Sequence, residues 1–383
     1  MRHHNSVLHA ITKHIPWAVF DRLVKDHGAD WRVRRLTTKN QLIALLYGQL
    51  AGAQSLREIE AGLLSHGARL YHLGARPVSR STLADANAQR SSAVFTGLLT
   101  HLVAQAQPGL RDKVGGAVRL IDATGLRLSG LSRWAQFSAK VCGAKLHVVY
   151  DPDHDCPLYY ALTTAKVTDL TAAKQMPIEA GATYVFDLGY YDFGWWAELD
   201  AKGCRIVTRF KKNTPLAVIA EPPLRPGSPV LSDRIGHLPQ RLAASRKNPF
   251  GGPVREVRVT TETGKILRIL SNDLEAPAEE IAALYKRRWQ VELFFRWIKQ
   301  TLKIRHFLGT SENAVRIQLA VALIAFVLLR LAQATANITK SPLTFARLVR
   351  INLMHRRPIN ALLNKPPPVI QDTGQLRLSL TPT

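Results

Sequence analysis

The sequence of 383 residues is poor in cysteine and in acidic residues, and it contains no long hydrophobic run. Its three cysteines, Cys142, Cys156 and Cys204, have no CxxC spacing, which excludes a disulfide scaffold and a cysteine-rich zinc site and is typical of a reducing compartment. The longest apolar run, 319–329, has 11 residues. Because a membrane-spanning helix needs about 20, we expect no membrane partner.

Motifs for nucleotide cofactors and for export are also missing. The chain has no P-loop and no GxGxxG, so we expect no nucleotide cofactor. The first 17 residues lack the apolar segment of a signal peptide, which predicts a cytoplasmic protein. The 13 histidines show no paired metal-ligand spacing, and we interpret them as surface groups.

Positive charge is what the sequence has in excess. Lys and Arg number 52 against 28 Asp and Glu, which gives a formal net charge of +24, and apolar residues at 46% are enough for a folded core. The excess is spread along the chain, since 1–80 has 12 basic and 5 acidic residues and 296–365 has 12 and 1. This distribution favours a protein that binds DNA over a large surface, and the alternative is a ribosomal or nucleoid-packing protein.

The pattern of apolar residues changes along the chain and predicts several segments. Helical spacing prevails over 1–110, where Ser55 and Glu58 form a capping box. Strands are predicted at 117–124, 146–150, 158–164, 183–187 and 205–210, with helices at 169–176 and 193–202. This order is typical of a ribonuclease H-like α/β fold, with the strands that end at Asp122 and Asp187 as parallel neighbours.

The remainder of the chain divides into further segments. The predicted division is a helical N-terminal domain (1–110), the first part of the ribonuclease H-like core (111–210), a β-rich insertion (211–272), a helical completion of the core (273–365) and a flexible tail (366–383). Helix 55–64 and the segment after Ser79 resemble a helix-turn-helix arrangement, and an ordinary helical pair is the alternative.

The helix predicted from 278 to 302 carries an unusual set of charges. With 100° per residue, Tyr285, Arg288, Glu292, Arg296 and Lys299 share one arc about 80° wide, whereas most of the remaining circumference is apolar. Burial of an unpaired carboxylate costs several kcal/mol, so Glu292 needs a cation. One hypothesis is an internal salt bridge to Arg288 or Arg296, and the other is a divalent metal.

Two further carboxylates favour the metal. Asp122 and Asp187 lie at ends of predicted strands, where open α/β sheets bind ligands. With Glu292 from a helix packed over that edge, three oxygen ligands converge. Such a set suits two Mg²⁺ ions, which can activate an attacking oxygen and stabilise the leaving oxygen of a phosphoryl transfer. The basic residues of the helix then lie beside the DNA phosphates.

These motifs resemble a known family. The spacing Tyr285-x2-Arg288-x3-Glu292-x6-Lys299 is similar to the Tyr-Arg-Glu-Lys signature of bacterial DDE transposases of the insertion sequence four family. Asp122-Ala123-Thr124 resembles the first acidic block of that family and Asp187-Leu188-Gly189-Tyr190 the second. The N-terminal stretches 41–48 and 55–59 are similar to the helical module that precedes the catalytic core.

The resemblance implies an enzyme that cuts DNA at the terminal inverted repeats of a mobile element and joins the 3′-OH to target DNA. Asp122, Asp187 and Glu292 would hold two Mg²⁺ ions, for which Mn²⁺ can substitute. Tyr285, Arg288 and Lys299 would contact the DNA backbone, with Arg296 on the same arc. A homodimer is implied because two ends are cut together.

Two alternatives remain on the sequence alone. One is a catalytically inactive DNA-binding protein or repressor derived from a transposase, and the other is a nuclease that hydrolyses ends without joining them. One departure from the family is also visible, since all seven tryptophans lie outside 211–270. A branch of the family stacks a tryptophan of the insertion on a flipped base during a hairpin intermediate. Either this chain does not use the hairpin route, or another residue serves, for example Phe250.

Overall fold

A large mixed β-sheet lies at the centre of the computed structural model, which describes residues 5–106, 116–243, 246–301 and 307–362. Within those ranges the sheet has ten strands, in the order β2-β3-β1-β5-β6-β12-β11-β8-β7, with β4 also paired to β3. The strands are β1 (Val118–Leu128), β2 (Gln136–Ser138), β3 (Val141–Asp151), β4 (Cys156–Thr164), β5 (Thr183–Phe186), β6 (Arg205–Arg209), β7 (Ala217–Ala220), β8 (Val230–His237), β11 (Pro253–Thr260) and β12 (Ile266–Ser271). Strands β9 (Arg241–Ala243) and β10 (Arg246–Lys247) form a separate pair.

Helices cover both faces of the sheet. They are α1 (Val7–Thr12), α2 (Trp17–Asp26), α3 (Thr38–Ala51), α4 (Leu56–Ser65), α5 (Gly67–Leu70), α6 (Arg80–Gln89), α7 (Ala93–Ala106), α8 (Asp169–Ala173), α9 (Phe193–Ala201), α10 (Ala278–Arg287), α11 (Trp289–Thr301), α12 (Glu312–Thr335) and α13 (Pro342–Asn352). Apolar side chains of α8 and α9 pack on one face, and those of the N-terminal helices and of α10 to α13 pack on the other.

Helix α12 is the centre of the larger core. Its 24 residues are long and apolar enough to span a membrane, but 78% of its most apolar window is buried inside the protein. It packs against α3, α6 and α7 of the N-terminal segment and against α11 and α13. The N-terminal helices therefore share one hydrophobic core with the C-terminal helices.

Four helices begin at a serine or threonine whose side chain caps the first turn. The Oγ1 of Thr37 and the Oγ of Ser55, Ser79 and Ser311 each accept a hydrogen bond from the backbone N–H three residues later, which satisfies one free donor of the first turn. The predicted capping box is half formed, because Glu58 accepts from the N–H of Gln54 and not from that of Ser55.

Each strand predicted between 117 and 210 is present, but β1 continues for six residues beyond Asp122, so this acid lies inside its strand and not at its end. Strands β1 and β5 are parallel neighbours, with Leu120 opposite Val185, and β5 and β6 are also parallel. Strands β3 and β4 form the predicted hairpin across residues 151–155. Strand β2 is an addition that the sequence pattern missed, since it has only three residues and all are exposed.

The segment predicted as a β-rich insertion contains β7 to β12, and all of these except β9 and β10 continue the central sheet. Strand β12 pairs antiparallel with β6, and β11, β8 and β7 follow outward from it. The sequence pattern had suggested a break at residue 211. Backbone hydrogen bonds on the free side of β6 explain the continuity, because an uncovered sheet edge is readily paired.

Two expectations about side chains are corrected. The predicted helix 278–302 is two helices with a break at Arg288, and Trp289 and Leu293 are 49% and 43% exposed, so its apolar face is not wholly buried. Among the histidines interpreted as surface groups, His147 is fully buried, because it lies on β3 in the middle of the sheet. The predicted tail 366–383 lies outside the described residues.

Candidate active site

Two of the three predicted acids lie on neighbouring parallel strands. Asp122 is the fifth residue of β1, and Asp187 directly follows β5. Each carboxylate is fixed by a nearby backbone N–H, since Asp122 Oδ1 accepts from Ala123 N and Asp187 Oδ1 from Gly189 N, both at 2.8 Å. The parallel pairing of β1 and β5 therefore places the two carboxylates at one region of the sheet, as the sequence predicted.

The third acid approaches from a helix that packs on β1. Glu292 lies in the first turn of α11, and its Oε1 is 2.6 Å from Nη2 of Arg288. The Nη1 of the same guanidinium lies 4.0 Å from Asp122 Oδ2. Arg288 thus stands between the carboxylate of the helix and that of the strand, and its side chain is 17% exposed.

The surroundings of Asp122 raise its pKa. Burial raises its pKa to about 6, the N–H of Ala123 and the charge of Arg288 act in the opposite direction, and the charges of Asp187 and Glu292 raise it further. Both of these carboxylates are therefore close enough to repel the charge of Asp122. Acids held together in this way favour a shared proton or a cation.

The donor set can be tested against a divalent metal. Carboxylate oxygens are the ligands that Mg²⁺ and Mn²⁺ prefer. In this structure the guanidinium of Arg288 supplies the positive charge between two of the three carboxylates. Within the described ranges, no three Asp, Glu, His or Cys side chains lie close enough to hold one ion together. The residues fit a metal by their chemistry but are not gathered around one point in this structure, where the guanidinium of Arg288 lies between Asp122 and Glu292.

The predicted DNA-contacting residues are placed differently from one another. Lys299 Nζ donates to Thr124 Oγ1 on β1, so the lysine lies at the same strand as Asp122. Tyr285 is 7% exposed, with the Arg288 guanidinium 5.8 Å from its ring centre. Arg296 is exposed and lies 5.7 Å from the ring of Trp289 instead.

Two further residues, Asp151 and Phe250, have structural roles. Asp151 is 1% exposed, accepts from the N–H groups of Asp153 and His154, and pairs with Arg119, which makes it the residue that fixes the β3–β4 turn. Phe250, the candidate for base stacking, is 6% exposed and belongs to the core on the α8–α9 face. As it lies, its ring does not present a stacking surface.

The sequence pattern missed a second polar group beside the acids. Asp169 begins α8 and binds Lys145 Nζ at 3.0 Å, while His147 Nε2 pairs with Thr163 Oγ1 at 2.9 Å and its Nδ1 lies 3.9 Å from Asp169. Lys145 and His147 are two residues apart on β3 and so face the same side of the sheet, and this spacing is the signal that could have identified them. The pattern assigned Asp169 only to a helix start.

Comparison with protein families decides what this arrangement belongs to. The family model described as "Transposase DDE domain" matches residues 114–328, more than half of the chain and the whole segment from β1 to the middle of α12. The chain belongs to this family. The match contains all three acids of the site, and the narrower assignment to the insertion sequence four family is consistent with it.

Two relatives of this DDE transposase are also named as transposases. A protein of Sinorhizobium fredii named as a transposase, y4zB, is 42% identical over 309 residues, which are 79% of this chain and 85% of the relative. A protein of Geobacillus stearothermophilus, named as a transposase of insertion sequence element IS5377, is 33% identical over 238 residues, 61% of each chain.

Two further similarities concern the N-terminal segment and a solved structure. Residues 3–76 match a family described as a domain of unknown function, DUF4372. The chain is also similar to the transposase in a solved piggyBac synaptic complex with hairpin DNA. The similarity covers 94% of this chain and 82% of the piggyBac chain, with a TM-score of 0.48 and 12% sequence identity.

The family and its named relatives show that this protein is a DNA transposase and an enzyme. Members of the family use divalent metals and act on DNA. The sequence interpretation as a DDE transposase is confirmed.

Proposed function

We propose that this transposase cuts DNA at the terminal inverted repeats of its own element and transfers the freed 3′-OH to target DNA, with Asp122, Asp187 and Glu292 as the catalytic acids. The observation that carries the assignment is the convergence of Asp122 with Asp187 across two parallel strands, with Glu292 joined to the same region through Arg288. The raised pKa of Asp122 supports it, because burial and two neighbouring carboxylates penalise its charge until a cation compensates them.

The same three acids are the proposed ligands of two Mg²⁺ ions, for which Mn²⁺ can substitute. When bound, the ions supply charge stabilisation for phosphoryl transfer and lower the pKa of an attacking oxygen. The chain's own contribution is positional. The N–H groups of Ala123 and Gly189 hold one oxygen of each aspartate, which leaves the other oxygen of each for the ions.

The basic residues of the region have proposed roles at the DNA. Arg288 pairs with the acids in the absence of metal, and its release would provide a cation for a DNA phosphate. Tyr285, Lys299 and Arg296 are the other proposed DNA contacts. Lys299 already lies at Thr124 on β1, which supports a position next to the cleaved phosphate.

The proposal extends to the remaining parts of the molecule. A ribonuclease H-like core is supported by the β3–β1–β5–β6 order, with β1, β5 and β6 parallel. The helical segment 1–110 is the proposed inverted-repeat binding domain, supported by its basic excess. A homodimer holding two DNA ends, in the bacterial cytoplasm and at the nucleoid, completes the proposal.

Cleavage of the element's own DNA ends tests the assignment. The Glu292→Gln variant is incubated with labelled end DNA and Mg²⁺ or Mn²⁺, and a loss of at least about a hundredfold in cleavage is expected because a charged ligand is lost. Glu312→Gln is the matched control, since Glu312 forms a similar i,i+4 pair with Arg316 at 2.6 Å on a different helix. Its cleavage is expected to equal that of the wild type.

The products distinguish the alternatives. Joined products establish transposition, whereas hydrolysed ends without joining indicate a nuclease. DNA binding without scission under either ion indicates an inactive repressor. Equal cleavage by Glu292→Gln and the wild type would overturn the assignment of the acids.

A further inference from the structure

The side chain of Tyr190 ends in a buried hydroxyl with no partner. Tyr190 closes the short helical turn Leu188–Tyr190 that follows Asp187, and it is 1% exposed. Its oxygen has no hydrogen-bond partner among the residues that the structure describes. A hydroxyl that is buried without a partner costs about 1–3 kcal/mol, so its presence requires an explanation.

The ring of Tyr190 is firmly held. Its centre lies 5.9 Å from that of Phe186 and 6.1 Å from that of Trp195, and Trp196 Nε1 donates to the Tyr190 backbone carbonyl at 3.1 Å. The position of the hydroxyl is therefore set by packing and not by a hydrogen bond of its own.

The charges of three carboxylates act on the hydroxyl. Burial and then the charges of Asp122, Asp169 and Asp187 raise the pKa of Tyr190 far above its usual value, so the phenol keeps its proton and remains a donor. Two of these carboxylates also lie close to Gly189, the residue that precedes Tyr190. A Cβ there would lie 3.0 Å from Asp187 Oδ1 and 3.7 Å from Asp169 Oδ2.

We propose that Tyr190 is a positioning residue, whose hydroxyl donates a hydrogen bond, directly or through one water molecule, to the carboxylates of Asp122 and Asp187 when these hold a divalent ion. The hydrogen bond fixes the carboxylate oxygens that face away from the ion. Such outer partners orient the ligands of a metal, and their loss typically reduces metal affinity 10- to 100-fold. This role rests on the proposed assignment of the two aspartates as metal ligands.

The Tyr190→Phe variant tests the proposal, because it retains the ring and removes only the oxygen. Mn²⁺ affinity is measured by isothermal titration calorimetry without DNA, together with the free energy of unfolding of the metal-free protein. We expect Mn²⁺ binding to weaken 10- to 100-fold, while the metal-free protein is as stable as the wild type or more stable. No hydrogen bond is lost in the metal-free state.

Tyr184→Phe is the matched control. Tyr184 lies on β5, is 2% exposed, and its hydroxyl accepts from Glu179 N at 2.8 Å. Its loss is expected to reduce stability and to leave Mn²⁺ affinity unchanged, the opposite result from Tyr190→Phe.

Glu292→Gln is measured in the same titration. If it loses Mn²⁺ binding while Tyr190→Phe binds as tightly as the wild type, the role of Tyr190 is overturned and the acidic site stands. If neither variant changes Mn²⁺ binding, the site itself is wrong. A Tyr190→Phe variant that is destabilised but binds Mn²⁺ normally also overturns the proposal, because the hydroxyl is then structural.

Discussion

Arg288 Nη2 lies 2.6 Å from Glu292 Oε1, across the break between α10 and the first turn of α11. The guanidinium also faces Asp122 at 4.0 Å, so it compensates two of the three acids while no metal is present. This pairing makes Arg288 a competitor of the metal as well as a candidate DNA contact.

Removal of the Arg288 charge is therefore expected to strengthen metal binding in the absence of DNA. A unit charge about 4 Å away contributes at least about 1 kcal/mol, so Arg288→Gln is expected to bind Mn²⁺ about fivefold more tightly. Isothermal titration calorimetry measures the affinity, with Arg316→Gln as the control for loss of a similar pair. Weaker Mn²⁺ binding by Arg288→Gln would show that the arginine supports the ligands and does not compete.

Metal binding is expected to weaken as the pH falls through about 6. Asp122 has its pKa raised to about 6 by burial, and its proton must leave before the carboxylate binds an ion. At pH 5 about one-tenth of the carboxyl is ionised, so Mn²⁺ affinity is expected to be about tenfold lower than at pH 8. An affinity that is constant from pH 5 to 8 would exclude Asp122 as the titrating ligand.

The same raised pKa affects the stability of the metal-free protein. The folded state favours the protonated carboxyl, so this contribution to stability is complete below pH 4 and is lost as the pH rises to about 6. Asp122→Asn removes the titration, and its free energy of unfolding is expected to vary less across that range. Denaturant unfolding at pH 4 and pH 6.5, with and without the substitution, measures the difference.

The contact between Lys299 and Thr124 joins α11 to β1. The Nζ donates to Thr124 Oγ1, and a charge-assisted hydrogen bond contributes roughly 1.5–3 kcal/mol. A double-mutant cycle with Lys299→Met and Thr124→Val is expected to give a coupling energy of about 1 kcal/mol or more in unfolding. A coupling energy near zero would mean that this contact does not hold α11 on β1.

A buried ion pair fixes the insertion to the helix that follows it. Arg255 Nε and Nη2 bind the two oxygens of Asp233 at 2.7 and 2.5 Å, both side chains are under 7% exposed, and Arg255 Nη1 also donates to the carbonyl of Ala276. Asp233→Ala leaves a buried charge and is expected to reduce stability by about 3–5 kcal/mol in denaturant unfolding. Replacement of both residues by leucine is expected to cost less, and an equal cost would contradict this account.

The parallel pairing of β1 with β5, and with it the neighbouring positions of Asp122 and Asp187, could be predicted from the sequence for a physical reason. Buried strands such as 183–187 are short apolar runs between turn residues, and Asp122 and Asp187 follow such runs directly. The pairing of β12 with β6 was not accessible, because it joins residues 60 or more positions apart, such as Thr208 and Leu270, through hydrogen bonds that leave no local pattern.

The helix 278–302 shows where a periodic argument fails. Angles counted from Tyr285 assume one uninterrupted helix, but the turn at Arg288 separates α10 from α11. Arg296 lies on Trp289, seven residues earlier on α11, while Arg288, at the break, lies near Asp122. The burial of His147 escaped for a related reason, since its partner Thr163 comes from another strand.

The pairing of β12 with β6 has a consequence for how such chains can diverge. The polypeptide leaves the sheet after β6 and returns beside it at β12, and α10 starts only seven residues after β12 ends. Insertions or deletions between those two strands would therefore lengthen or shorten the outer sheet without displacing Glu292. A longer or shorter segment between Asp187 and Glu292 would in this way leave both residues in their present positions.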